Sequence, residues 1–440
     1  MTRTARMSRS RRGVRILAGA LLAVTVPAAG VAAAAPAPSA PEPDGRERLV
    51  AEIDDAVAEA KRIQDARTAG PRTRGAEPGP ASDDVDEALD DAVAAVVADG
   101  ALGATARVEA PGVRWTGAAG LRELGGNAPA RAYDRFRVAS NTKTMVATLV
   151  MQEVERGRWT LDTTVEDVLP GVLPAEIAGV VTVEQLMSHR SGAPALHIQQ
   201  MIIDRVSDLE SWEDFLDALE QRYTIDDHLT TIGNLPWDFE PGTDGAYSNA
   251  GYVLLGLMLE EETGWPLDKL LTWRVFLPAG MWHAGYPEEP GVRGPFMVGA
   301  AYAGEEGGWE SLDEWDPTMF AAAGAATAGT RDLNRLNEAL FSGRLVSSET
   351  VEDMVTPRGT LFGGTIEYGL GVYRVPDPCE PGEFLYGHDG AAYGTVSINW
   401  SSLDGERQIT LGVNARDISG GEAPLYDLGV LLTPMLLATC

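Results

Sequence analysis

A serine and a lysine stand three residues apart in RVASNTKTMVATLVMQEVERG, residues 137–157. If that stretch is helical, Ser140 and Lys143 share one face, a turn apart and within hydrogen-bonding reach. An amine so placed can take a proton from the hydroxyl, which then attacks an acyl carbonyl; a guanidinium effectively cannot act as that base. The residue type is informative because lysine is scarce. Lys61, Lys143 and Lys269 are the three lysines among 35 basic residues, and all the others are arginine. The same spacing also fits an N-cap serine followed by a solvated lysine.

Two further polar clusters interrupt apolar or glycine-rich surroundings. Tyr247-Ser248-Asn249 follows Pro241-Gly242 and directly precedes GYVLLGLMLEEETG. A phenol and an amide two residues apart at a helix start can point into one cavity; alternatively Ser248 or Asn249 caps the helix while Tyr247 packs. Gly387-His388-Asp389-Gly390 precedes GTVSINW. Glycines beside a polar side chain at a strand edge let a ligand approach the backbone, although a hairpin turn with an exposed histidine has the same composition.

The elements that must position these clusters can be read in chain order. An acidic amphipathic helix, DDVDEALDDAVAAVVADG from Asp83, carries Val85, Leu89, Val93, Val96 and Val97 on one face. Strand patterns follow at ATARVEA and VRWTGAAG, divided by Pro111-Gly112. Phe136 to Val138 is a short β-type run leading into Ser140, after which Val146, Leu149, Val150 and Val154 recur at helical spacing before Gly157. Residues 160–330 read as mainly helical. A helix after Thr330, strands YGLGVYRV, GTVSINW and RQITLGVNA, and a closing helix PLYDLGVLLTPMLLA complete the chain. The expected fold is α/β: an antiparallel sheet flanked by helices and interrupted by an inserted, mainly α-helical domain.

Taken in order, S-x-x-K, Y-x-N and H-x-G resemble the active-site motifs of the serine β-lactamase and D-alanyl-D-alanine carboxypeptidase family, the penicillin-recognising enzymes of class C-like type. Among them the likeness is greatest to the secreted actinobacterial D-Ala-D-Ala carboxypeptidases. It extends over residues 83–440, through VTVEQLMSHRSG, AGTRDLNRLNEALFSGRLVS and YGHDGAAYG. The resemblance implies Ser140 as nucleophile, Lys143 as its base and Tyr247 as proton relay to the leaving group. It implies Asn249, His388, Gly390 and Ala391 as substrate-binding residues, with backbone N–H groups of Ser140 and Ala391 holding the oxyanion. His189, in the S-H-x-S-G run, is expected to be a structural loop residue beside the site. One departure stands out: where carboxypeptidases of this branch carry small hydroxyl residues after the histidine, this chain has Asp389. With Arg374 as the expected carboxylate-binding cation, Asp389 opposes an anionic substrate terminus unless it points away or pairs with Arg374. A neutral ester or an amine-bearing substrate, as in esterase and D-aminopeptidase relatives, gains from that departure.

Composition and the N-terminus set the setting. The formal net charge of −30 would repel nucleic acid and anionic membrane. Six arginines (Arg3, Arg6, Arg9, Arg11, Arg12 and Arg15) precede the apolar run Ile16 to Val26 and small residues up to Ala35. This reads as a signal peptide over residues 1–35, with Arg11-Arg12 leaving general and twin-arginine export both open. An extracytoplasmic location follows. Residues 36–82 read as linker, with APAPSAPEPDG and GPRTRGAEPGPAS flanking an alanine-rich charged stretch that is either a surface helix or a removable pro-segment. In an oxidising compartment Cys379 and Cys440 are expected to pair, a pattern the family resemblance also supports.

No G-x-S-x-G elbow appears, and His189, His197, His228 and His283 show no metal-ligand spacing. The expectation is therefore a monomeric exported serine hydrolase without cofactor or metal, acting on a small peptide, ester or β-lactam. D-Ala-D-Ala carboxypeptidase activity on peptidoglycan stem peptides is the leading reading. Esterase, D-aminopeptidase-like or β-lactamase activity is the enzymatic alternative, and a catalytically silent peptidoglycan-binding protein is the non-enzymatic one.

Overall fold

The computed structural model describes residues 45–68, 82–205, 212–292, 294–303, 308–418 and 426–440. The expected signal peptide and the second proline-rich stretch lie outside them.

Two helices open the described chain, α1 (Gly45–Thr68) and α2 (Ser82–Asp99), followed by the hairpin of β1 (Gly103–Ala110) and β2 (Val113–Gly120). The short strand β3 (Phe136–Arg137) leads into α3 (Asn141–Glu155). Residues 160–330 hold a series of short helices and one long one, α4 (Asn249–Thr263). The chain returns through β4 (Thr327–Ala328), which pairs with β3, and α5 (Thr330–Phe341). Strands β5 (Gly359–Leu361), β6 (Ile366–Tyr368), β7 (Tyr373–Pro376), β8 (Phe384–Ala392), β9 (Thr395–Ser401) and β10 (Gln408–Val413) precede the last helix, α6 (Gly429–Ala438). The main sheet has eight antiparallel strands in the order β2-β1-β10-β9-β8-β7-β6-β5.

Alternation along the central strands gives the sheet two packed faces. Ile398 and Trp400 on β9, with Ile409, Leu411 and Val413 on β10, face α1, α2 and α6. Asn399 and Thr410 point the other way, where Asn399 meets Asn337 and Thr410 meets Asn334, both on α5. Helix α3 is buried on almost every side, so its polar residues must be satisfied internally. Thr144 donates to the Gly371 carbonyl at 2.7 Å and Gln152 to the Leu345 carbonyl at 2.9 Å. The Glu153 carboxylate is met by Arg156, Arg158 and Arg274 at 3.0, 2.9 and 2.6 Å.

Two expectations need correction. Residues 45–68 are not linker: Leu49, Val50, Ile53, Ala56, Val57 and Ala60 are buried in the core shared with α2 and α6. Those positions form one helical stripe, and each large apolar side chain so buried contributes about 1.5–3 kcal/mol. The folded unit therefore starts before Asp83. Likewise YGLGVYRV is not one strand but the β6–β7 hairpin, turned at Gly369 to Val372. Gly371 has φ +79°, and a Cβ there would lie 2.1 Å from the Ala147 Cβ, so only glycine lets the turn dock on α3. The Cys379–Cys440 disulfide is formed, tying the loop between β7 and β8 to the C-terminal end of the chain just past α6.

Candidate active site

Ser140 sits where β3 turns sharply into α3. The preceding Ala139 has φ +46°, a left-handed conformation that L residues other than glycine adopt at a cost of about 1–3 kcal/mol. Ser140 occupies the N-cap position, yet its side chain makes no capping bond. Instead the Lys143 amine lies 3.1 Å from the Ser140 hydroxyl. The amine also donates to Asn249 Oδ1 at 2.7 Å and to the Ala323 carbonyl at 2.8 Å, and Lys143 is fully buried. Asn249 and Ala323 offer pure acceptors, whereas a hydroxyl can donate or accept. A neutral amine has two N–H bonds and one lone pair. It can therefore keep Asn249 and Ala323 while taking the proton of Ser140, without any group having to move.

The second cluster forms at the start of α4. Ser248 caps nothing with its side chain, so the capping alternative for this stretch does not hold. The Tyr247 ring lies 4.9 Å from the Lys143 amine and is stacked against His189 with centroids 4.3 Å apart. His189 is more than a bystander. Held at φ +60°, it accepts the Ser248 backbone N–H at Nδ1 over 3.1 Å and so fixes the segment between Tyr247 and Asn249. Accepting at Nδ1 leaves the proton of a neutral ring on Nε2.

The third cluster is on β8, not in a turn: the hairpin bends later, after Ala392. His388 lies opposite Asn399 in the sheet register and its side chain is fully buried. Its Nε2 is 2.9 Å from the Tyr368 hydroxyl, and its ring centroid is 6.3 Å from that of Tyr247. Gly390 brings this strand against the nucleophile turn. A Cβ there would lie 2.2 Å from the Val138 carbonyl oxygen and 3.1 Å from the Ala139 Cβ. Its glycine thus serves strand-to-turn contact, and Ala391, half-buried, follows beside that contact.

Asp389 points to the opposite face from His388, opposite Ile398, and its side chain is 2% exposed. Arg374 is not brought to the cluster. Its guanidinium is bound to Glu367 at 2.9 Å and lies over Phe384 at 3.8 Å, so it pairs neither with Asp389 nor with the Ser140 turn. Among the residues that sequence reasoning missed, Tyr368 and Tyr252 carry phenols into the site region, and Ala323 contributes only a carbonyl. Tyr252 had a signal, three residues after Asn249 on the same helix face; Ala323 had none. His197 and His228 form a buried pair at 3.4 Å, and burial and mutual repulsion push His197 well below the ordinary histidine range. Among the described residues no group of three or more His, Cys, Asp or Glu is placed to hold a metal ion.

A buried serine–lysine pair at a strand-to-helix turn, beneath an antiparallel sheet and beside a helical insert, defines the class: the serine β-lactamase and DD-peptidase superfamily. Comparison with known proteins agrees. The Beta-lactamase family model matches residues 61–415, and the chain belongs to that family. It is 31% identical over 288 residues to penicillin-binding protein 4 of Amycolatopsis lactamdurans, covering 60% of this chain and 67% of that protein. It is 27% identical over 294 residues to penicillin-binding protein 4* of Bacillus subtilis, covering 64% of this chain and 61% of that one. The chain thus spans about two thirds of these relatives. It also resembles the structure of a D-stereospecific amidohydrolase from Streptomyces, with 28% identity and TM-score 0.65 over 76% of this chain and 95% of the other. The esterase EstB of Burkholderia gladioli is 31% identical over a shorter stretch of 190 residues, 42% of this chain and 47% of that one.

Proposed function

We propose that this protein is an exported serine hydrolase that forms an acyl ester on Ser140, acting as a D-alanyl-D-alanine carboxypeptidase on cell-wall stem peptides. In that reading Lys143 takes the Ser140 proton as the oxygen attacks the peptide carbonyl. Tyr247, beside the amine, passes a proton to the departing amine of the terminal residue, and water then hydrolyses the ester. Backbone N–H groups of Ser140 and Ala391 would hold the oxyanion, which is consistent with the close approach of Gly390 to the Ser140 turn. The observation that carries the reading is the Lys143 amine held 3.1 Å from Ser140 by two acceptors that leave its third position to the serine. Export rests on the arginine-rich, apolar and small-residue order of residues 1–35. A monomer is the proposed state.

The carboxypeptidase assignment draws support from the likeness to penicillin-binding proteins and from the burial of Asp389, which removes a negative group from the path of an anionic terminus. A second reading is favoured by Arg374, whose engagement with Glu367 takes away the expected carboxylate-binding cation. The substrate would then be an amide or ester without a free terminal carboxylate, as the similarity to the D-stereospecific amidohydrolase and to the esterase suggests. Intact-mass measurement after incubation with a penicillin, for wild type and Ser140→Ala, tests the chemistry. A stable adduct absent from the variant supports the carboxypeptidase; fast turnover without adduct points to a β-lactamase. Comparing a D-Ala-D-Ala peptide with its C-terminal amide and a p-nitrophenyl ester separates the two substrate readings. No Ser140-dependent chemistry on any of them would leave the silent binding protein.

A further inference from the structure

A cavity of about 310 Å³ opens among α4, the segment 222–225 and the turn of residues 321–325, and none of Ser140, Lys143, Tyr247 or His388 lines it. Its volume is at the small end of the range for small-molecule sites. Val253 and Leu257 of α4, with Leu267, Ala322 and Ala325, make the walls apolar, and Glu260, in the last turn of α4, adds a carboxylate to them. Among the described residues Glu260 takes a hydrogen bond from the Leu267 N–H at 2.8 Å and pairs with no lysine or arginine. Burial, opposed by that hydrogen bond and reinforced by Glu288 and Asp268, holds its carboxyl above the ordinary range. Arg222, the basic residue of the lining, is committed elsewhere: it donates to the Glu288 carbonyl at 2.7 Å and to the Glu289 carboxylate at 3.0 Å.

We infer that this cavity binds a small organic ammonium, a primary amine on a short apolar or aromatic body, with Glu260 as its counter-charge. The walls remove the apolar body from water. The ammonium gives the half-buried carboxylate the charge-assisted hydrogen bond that no basic side chain supplies. A net charge of −30 draws cations to the surface and repels ligands that carry a carboxylate. The same walls reach the Lys143 amine. Asn249, which accepts from that amine at 2.7 Å, lies four and eight residues before Val253 and Leu257, on one stripe of α4. Ala323, which accepts from it at 2.8 Å, belongs to the turn that closes the cavity. Helix and turn are in direct contact, because a Cβ on Gly256 would lie 2.5 Å from the Ala322 Cβ. An occupant therefore bears on both elements that carry these two acceptors, while lying apart from Ser140.

Titration calorimetry of the whole chain with phenethylamine at pH 7 tests this, with 2-phenylethanol as the uncharged probe of similar shape. The expected result is saturable binding of one amine per chain, with the alcohol weaker by about tenfold or more. Saturating amine should also raise the thermal midpoint by mass action. Glu260→Gln keeps an acceptor for the Leu267 N–H and removes the charge, so it should weaken the amine by about tenfold or more and leave the alcohol unchanged. Leu257→Trp, at a half-buried position of the same wall, fills the space and should abolish binding of both, which keeps the test decisive if Glu260→Gln does not fold. Absence of saturable amine binding in the wild type overturns the inference, as does equal binding of amine and alcohol. Amine binding that survives unchanged in both variants, or competition with a p-nitrophenyl ester that persists in Glu260→Gln, would place the amine at Ser140 and overturn it too. The calorimetry reads the same whether or not Ser140 proves reactive.

Discussion

On one face of the eight-stranded sheet, α1, α2 and α6 bury Leu49, Ile53, Val57, Leu89, Val93, Leu431 and Met435 against Ile398, Trp400 and Leu411. On the other, α3 and α4 bring Ser140, Lys143 and Asn249 together beside Thr144 and Glu153, every one of them paired through a specific bond. The first face is held by area, which is non-directional and tolerates adjustment. The second is held by geometry, where a lost partner leaves a buried polar group unsatisfied. Damage to the first face should therefore lower stability and spare the chemistry of the molecules that remain folded. Damage to the second should abolish the chemistry even in the molecules that remain folded.

Replacement of single residues would sharpen or break that division. Ser140→Ala is expected to abolish covalent labelling by penicillins and esters outright while leaving the thermal midpoint near that of wild type. Lys143→Arg keeps the charge and removes the base, so acylation should fall by roughly 10²-fold or more; stopped-flow labelling that finds near-normal rates would mean another residue activates Ser140. On the apolar face, breaking the Cys379–Cys440 bond, which spans 61 residues, should cost about 4 kcal/mol of stability by the chain-entropy account, read from denaturant midpoints of the double Ser variant. Ile53→Ala should cost about 2–5 kcal/mol with an unchanged labelling rate in the folded fraction. Loss of labelling in step with that stability would show that the two faces are not separable.

The smallest effect concerns Glu52 on α1. Burial, with Asp427 adding to it, raises its carboxyl from 4.5 to about 7. The folded state thus binds the proton more tightly than the unfolded state does. Stability contributed by this group is present below about pH 4.5 and is lost as pH rises through about 7. Glu52→Gln should flatten that part of the stability–pH curve; an unchanged slope would assign it to other groups.

How far the sequence could be read differed between the two faces. That Ser140, Lys143, Tyr247, Asn249 and His388 lie near one another was legible because their side-chain types recur in a fixed order along the chain. Tyr368 was not, since only the packing of β6, β7 and β8 brings it 2.9 Å from a histidine 20 residues further on. Ala323 was beyond reach, because a carbonyl belongs to every residue and only the three-dimensional turn aims it. Arg374 was misjudged because it lies on the strand next to β8, where its register sets it opposite Glu367 and Tyr386. On the apolar face α1 passed for linker. Its buried stripe is narrow, most of its other residues are charged or small, and proline-rich stretches flank it.

The cage around the Lys143 amine has a consequence for how the protein comes to possess any reactivity. Ser140, Asn249 and Ala323, which the amine contacts, come from the turn before α3, from the first residue of α4 and from the Ala321–Ala323 turn that precedes β4, 180 residues away in the chain. These segments meet only once the helical insert has closed on the sheet. A molecule in which these segments had not met would hold a serine without its lysine partner fixed in place, so the pairing of Ser140 with Lys143 depends on contacts made between distant parts of the chain.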